Sequence, residues 1–432
     1  MTARTRAVAL AAFVLWACGQ TGTLVLELAL PGGVLPTGAA QVRVSLDDPP
    51  LTQTVPVGAD GSFSLALELD ARNQTSQVTV VILDAAGSVL ARGVSPPVSI
   101  DAAGARVKVF VAPPGKFSPA PFDFPARTDV ALAPLSFGAI LAGGRGADGT
   151  KSDALLAYSV YLQNLTPGAA LPSPRAGLAA AGTSLDEVYL FGGTGTGETA
   201  AGDLWLFDTR VAPAGSYAVL GSVASLARSS AQVSLVGADQ FLMTGAPPAF
   251  LNGTAGSLTA FANAPTAAGS ATAAATTSVS GKAVVILAGP SGLFRYDAGA
   301  DSWTTLDTTA RAGAAAVTLP DLRVLVAAGT TTTLVSPDGT LAPGPTIAFR
   351  DRSAAALAGT TVVLAGGFDE SGAGRADADA IATADLSVTR VSLARARGGP
   401  AAIGLGNQTV LVLGGRATDG GTPQDGAEIF TP

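Results

Sequence analysis

Residues 360–367 read TTVVLAGG. A β-prone run ends in a small, glycine-rich turn: the run suits a strand, and glycine suits the left-handed backbone a tight turn requires. The phrase returns as GAILAGG at 138–144, EVYLFGG at 187–193 and QTVLVLGG at 408–415. Weaker copies are QFLMTGA at 240–246, AVVILAG at 283–289 and RVLVAAG at 323–329. Everything C-terminal of about residue 125 can be phased on these copies.

The first position of each pair falls at 143, 192, 245, 288, 328, 366 and 414, so the steps are 49, 53, 43, 40, 38 and 48 residues. That is the period of four-stranded propeller blades, with length variation collecting in the loops of one face. Arginines keep the same phase. Arg175, Arg228, Arg311 and Arg397 each precede the first position by 17 residues, Arg127 by 16 and Arg352 by 14, while the fourth repeat has Ala271 there. Behind the pair comes a third strand with an aromatic or aliphatic end, as in DLWLFDT at 203–209, GLFRYDAG at 292–299 and AEIFTP at 427–432. A fourth shows in SWTTL at 302–306 and SVTRVSL at 387–393.

The glycine pair, the arginine phase and Trp303 set behind Tyr296-Asp297 together resemble the kelch repeat, over about 300 residues. The expected fold is therefore all-β: an N-terminal β-sandwich followed by a seven-bladed kelch-like β-propeller over 127–432. Repeats three and four depart from the pattern, with Gly245-Ala246 and Ala288-Gly289 in place of the pair, so six to eight blades are compatible. The last repeat stops at its third strand. A propeller closes by borrowing a strand from the other terminus, which removes an open edge, and the best candidate lies within residues 117–124.

Residues 18–114 read as the sandwich. Candidate strands are 23–30, 41–46, 52–57, 62–69, 77–83, 89–93 and 106–112, with Asp60-Gly61 and AAGS at 85–88 as tight turns. VGADGSFSLALEL resembles part of carboxypeptidase-regulatory-like modules; an immunoglobulin-like sandwich fits the same spacing. The next segment, PPGKFSPAPFDFP at 113–125, is too proline-rich for a central strand. Residues 115–126 are read as linker and closure strand.

Composition narrows the function. With 48% hydrophobic and 13% charged residues the chain is a folded one. A net charge of −7 without a Lys/Arg cluster speaks against nucleic acid and anionic membrane surfaces as partners. Histidine is absent, which removes imidazole metal ligands and histidine-based catalytic constellations. The single cysteine is Cys18. Arg4 and Arg6 form a basic start, residues 7–17 an apolar stretch too short to span a bilayer well, and LWAC at 15–18 resembles a bacterial lipobox, with Trp16 departing from the usual small or aliphatic residue. The resemblance implies removal of residues 1–17, lipidation of Cys18 and a bacterial cell-envelope location. An ordinary signal peptide with an incidental cysteine is the alternative. Gly19 after the cysteine favours outer-membrane sorting.

The recurring arginines 127, 175, 228, 311, 352 and 397 are the candidate binding residues, as a cationic ring at one rim. The structural alternative is that each guanidinium satisfies backbone carbonyls between blades, and repetition in nearly every repeat favours it. Acidic loops (Asp369-Glu370 with Asp377-x-Asp379, Asp148-Gly149 with Asp153) lack calcium-loop spacing and read as solvated turns. Kelch-type propellers include copper oxidases whose site needs histidines and a cysteine-linked tyrosine; this sequence cannot supply them. Residues 336–340 (SPDGT) begin like a sialidase box but lack its tryptophan. No metal or cofactor is expected. The expected function is a lipid-anchored, non-enzymatic scaffold whose propeller binds a protein or carbohydrate partner. The alternative is a polysaccharide hydrolase or lyase with two carboxylates at the channel.

Overall fold

A computed structural model describes residues 21–48, 50–58, 67–70, 75–99 and 105–432. Cys18, the lipobox-like segment, the Asp60-Gly61 turn and most of the 62–69 strand lie outside the described residues. The molecule is all-β, built of small, mostly antiparallel sheets.

In the N-terminal part, Leu51–Pro56, Gln41–Leu46, Val78–Leu83 and Val89–Val94 form a four-stranded antiparallel sheet in that order. Alternation places one face inward: Val42 opposes Ile82, Val44 opposes Val80, and all four are buried. A second sheet joins Leu67–Asp70 and Ala105–Phe110 to either side of Thr21–Ala29, the latter pairing being parallel. Val107, Val109 and Val111 pack into the same core as Val42, Val44, Val80 and Ile82.

Among the described residues from 116 onward stand seven four-stranded antiparallel sheets. They are sheet 1 (131–167), sheet 2 (176–222), sheet 3 (233–260), sheet 4 (273–307), sheet 5 (315–343), sheet 6 (354–392) and sheet 7 (401–431). In sheets 1 to 6 the strands lie side by side in chain order. Sheet 7 takes three strands from the C-terminal end of the chain and its outer one, Lys116–Pro119, from the segment before sheet 1. There Phe117 stands opposite Phe430, the rings 5.3 Å apart.

The first strand of each sheet packs against the first strand of the next, and Ala401–Gly404 of sheet 7 packs back on Ala131–Leu135 of sheet 1, closing the cycle. The opening phrase is the second strand of sheet 6, Thr361–Ala365. Second strands have a neighbour on each side. In sheet 2, Val188 and Leu190 pack into the core shared with sheet 1, and Tyr189 and Phe191 into the core shared with sheet 3. In sheet 7, Val410 and Val412 face sheet 6 while Leu411 and Leu413 face sheet 1. A strand covered on both faces must be apolar throughout, which is why the phrase runs without alternation. Each such Val or Leu withdrawn from water contributes roughly 1.5–3 kcal/mol. First strands, where the sheets converge, are alanine-rich: AAALA at 354–358 and AGLAAAG at 176–182.

The two parts meet on the boundary between sheets 7 and 1. Ala29, Phe110 and Ala112 join Tyr158, Val160, Leu411 and Leu413 in one cluster, and the Tyr161 hydroxyl donates to the Pro97 carbonyl at 3.0 Å.

Candidate functional site

The face of the ring that carries the glycine pairs is built by a repeated latch. Gly143-Gly144, Gly192-Gly193, Gly366-Gly367 and Gly414-Gly415 all have positive φ, between 57° and 100°. The second glycine donates its N–H across a sheet boundary to an arginine carbonyl: Gly144 to Arg175 and Gly193 to Arg228 at 2.9 Å, Gly367 to Arg397 at 2.8 Å. That arginine then turns its side chain into its own sheet. Arg397 Nη1 donates to the Gly414 carbonyl at 2.8 Å, Nε to Glu428 at 3.1 Å, and Nη2 to the Asp425 and Gly426 carbonyls. Arg228 donates to the Leu226 and Thr244 carbonyls at 2.8 and 2.9 Å. Burial lowers the pKa of both guanidinium groups, and Glu428 opposes the effect at Arg397.

The six arginines named from the sequence share this face but have different partners. Arg175 pairs with Asp203 at 2.7 Å and lies over the Trp205 ring. Arg311 pairs with Asp307 at 2.6 Å and donates to the Thr309 carbonyl. Arg127 is half-buried beside the channel mouth, and burial lowers its pKa. Arg352 is a correction. It is half exposed, pairs with Asp351 and Asp419, and covers the Phe368 ring 4.5 Å away. The latch position in that repeat belongs to Arg350, fully buried, which donates to the Gly366 carbonyl and to Asp379, both at 2.8 Å. The sequence carried the signal: Arg350 stands 16 residues before Gly366, as Arg127 stands 16 before Gly143.

A second correction concerns Asp377 and Asp379. They belong to the third strand of sheet 6, not to a solvated loop, and Asp379 is fully buried against Arg350. The remaining acidic turns cap their own backbone. Asp148 accepts from Thr150 N–H, and Asp369 from Ser371 and Ala373 N–H. Among the described residues no three carboxylate or thiol side chains gather as a metal site.

The rim is lopsided. The loops between second and third strands are long in sheets 1, 2, 6 and 7 and short in sheets 3, 4 and 5. The long loops are tied by ion pairs that cross sheet boundaries: Arg352 to Asp419 at 2.6 Å, Arg416 to Asp129 at 3.2 Å, and Arg145 and Lys151 to Glu198 at 2.6 Å. Hydrogen bonds from Arg145 and then Lys151 pull the Glu198 carboxyl down to about 2.

Inside the rim lies a channel of about 340 Å³ lined by the first strands of all seven sheets and the residues leading into them, mostly alanine, with Gln232, Thr272 and Ser353 among them. Its mouth, about 190 Å³, adds Arg127, Thr128, Asp129 and Ser230. Asp129 is the single carboxylate lining either space.

No protein-family model matches the chain, and no curated protein does. Among solved structures, a fungal alcohol oxidase of the AA5 family, in complex with copper, superposes with a TM-score of 0.57 at 13% identity. The match covers 74% of this chain and 76% of that one. At that identity the likeness is one of fold alone.

Proposed function

We propose that this chain is a seven-bladed kelch-like β-propeller carried behind an N-terminal β-sandwich. On this reading Cys18 anchors it by lipid in a bacterial cell envelope, at the outer membrane, and the propeller serves as a non-enzymatic platform for a protein or glycan partner. One observation carries the binding role. The face with the long loops is braced by ion pairs running from sheet to sheet, while the channel it surrounds is walled mainly by small side chains and has one carboxylate at its mouth. A braced, asymmetric rim suits recognition of a surface. General acid–base cleavage of a glycosidic bond needs two carboxylates roughly 5–9.5 Å apart, and the mouth offers Asp129 without a second. The hydrolase or lyase reading is therefore not carried further.

The seven-bladed reading rests on the seven sheets, on the closed cycle of first strands and on a fourth strand for sheet 7 drawn from residues 116–119. The anchor rests on residues 1–18 alone. Metabolic labelling with a palmitate analogue tests it: label on the wild type and none on Cys18→Ala is expected, and equal label on both would overturn it. Incubation with a polysaccharide panel tests the non-enzymatic role; release of shortened saccharides would sink that role.

A further inference from the structure

The latch is missing between sheets 3 and 4. Ala271 occupies the arginine position, Gly245-Ala246 replaces the glycine pair, and the boundary is spanned instead by the short turn Thr266–Ser270, with Gly269 against the Gly245 carbonyl. Along this boundary lies a cleft of about 370 Å³ that shares no lining residue with the channel. Its walls are Val236, Gln240, Phe250, Thr259, Phe261, Tyr296 and Asp301, with alanines between them. The size falls within the roughly 300–1,000 Å³ of small-molecule sites.

Four aromatic rings meet beside it across the boundary, mostly edge to face. Phe261 of the sheet 3 edge lies 5.8 Å from Phe250, 4.9 Å from Tyr296 and 5.4 Å from Trp303; Tyr296 and Trp303 are 4.9 Å apart. This is the one place among the described residues where aromatics gather in such number, in a chain with only 6% aromatic residues. Around them stand polar groups with capacity to spare. The Gln240 amide and the Thr259 hydroxyl bond no other described residue. Asp301 takes the Tyr296 hydroxyl on Oδ1 at 3.0 Å, which leaves Oδ2 open.

Partly exposed aromatic side chains beside an amide, a hydroxyl and a carboxylate oxygen match a pyranose ring, whose C–H face is apolar and whose rim carries hydroxyl groups that both donate and accept. Asp301 is the one charged group lining the cleft itself, which disfavours an anion there, while Lys282 lines an adjoining space that shares Val236, Gln240 and Ala298. We propose that the cleft between sheets 3 and 4 binds a neutral sugar unit, with the half-buried Phe250 and Phe261 against the ring and Gln240, Thr259 and Asp301 at its hydroxyls. This deepens the platform reading and rests on it: the partner would be a neutral glycan, held away from the channel.

Titration calorimetry of the full chain with maltotriose, cellotriose, chitotriose and mannotriose as probes tests the site. Saturable binding of at least one is expected. Gln240→Ala, at the half-buried start of its strand, is expected to weaken it about five- to tenfold, as for a lost hydrogen bond. Phe261→Ala is expected to weaken it more, and Arg323→Ala, on a sheet 5 turn, not at all. Full affinity in Gln240→Ala and Phe261→Ala would place any sugar site elsewhere and overturn the cleft while leaving the platform standing. No heat with any probe overturns the cleft as well. Shortened sugars in the cell after the run would sink the non-enzymatic reading but leave the cleft as a binding site.

Discussion

A side chain on Gly366 would collide with Arg397 across the boundary between sheets 6 and 7: an ideal Cβ there falls 2.2 Å from the Arg397 carbonyl oxygen. Gly143 and Gly192 stand in the same relation to Arg175 and Arg228, at 2.4 Å in both. The first glycine of the pair is thus a site of close approach between neighbouring sheets, beyond its left-handed φ.

Gly366→Ala is expected to cost about 3 kcal/mol or more, because about 1–2 kcal/mol of left-handed strain adds to a backbone clash that can be relieved only by parting two sheets. Gly420→Ala is the control: its φ is 74° but its Cβ would enter open space, so roughly 1 kcal/mol is expected. Urea unfolding of the two variants checks this. Equal losses would reject the close-approach role.

Arg397→Met leaves the Glu428 carboxylate and the Gly414 carbonyl buried without their donor. A loss of about 3–5 kcal/mol is expected. Arg397→Lys should recover little of it, since a single ammonium cannot reach four acceptors held by a planar fork. Arg352→Ala, half exposed at the rim, should lie within about 1 kcal/mol of wild type. Denaturation midpoints decide; a large loss at Arg352 with none at Arg397 would reject the buried arginine as the stabilising contact.

Glu198 sets a pH dependence. Its folded pKa of about 2 lies below the ordinary 4.5, owing to Arg145 and then Lys151. A depressed carboxyl contributes stability that is fully present above its unfolded value, so the contribution holds above about pH 4.5 and is lost as pH falls toward 2. Arg145→Met should move the Glu198 midpoint up toward its ordinary value and flatten the stability profile within that window. Carboxyl-carbon NMR titration reads the midpoint directly, and an unmoved midpoint would dismiss the ion pair.

Deleting residues 115–125 removes the outer strand of sheet 7 and bares the edge of Ala427–Thr431, every residue of which is buried. Because the sheets are joined in one cycle, the loss should lower the melting temperature of the whole ring and promote edge-to-edge association. An unchanged melting temperature with a monomeric elution profile would reject a stabilising role for this strand.

How much was legible in the sequence follows from the range of each interaction. TTVVLAGG announced a strand ending in a glycine turn, because a β-prone run and a glycine pair are local chemical signals, while its burial on both faces came from the neighbouring sheets. The recurring step length placed Ser302–Asp307 and Val388–Ser392 as fourth strands for the same reason. In the sixth repeat the 16-residue spacing favours Arg350 over Arg352, and burial against Asp379 and Gly366 shows that it holds the latch position. Asp377-x-Asp379 looked like a solvated turn until the strand carried it beneath that arginine. The parallel pairing of Thr21–Ala29 with Ala105–Phe110 had no sequence signature, because nothing within either strand records a partner some eighty residues away. The cleft between sheets 3 and 4 was hidden for the same reason. Its residues, Gln240, Phe250, Thr259, Phe261 and Asp301, come from separate strands and turns, and only tertiary packing gathers them around one space. The sequence by itself determined strands, turns and their period, which are set by neighbours along the chain. The tertiary structure decided which polar groups became buried partners and where the sheets part, because those depend on contacts between residues far apart in the chain.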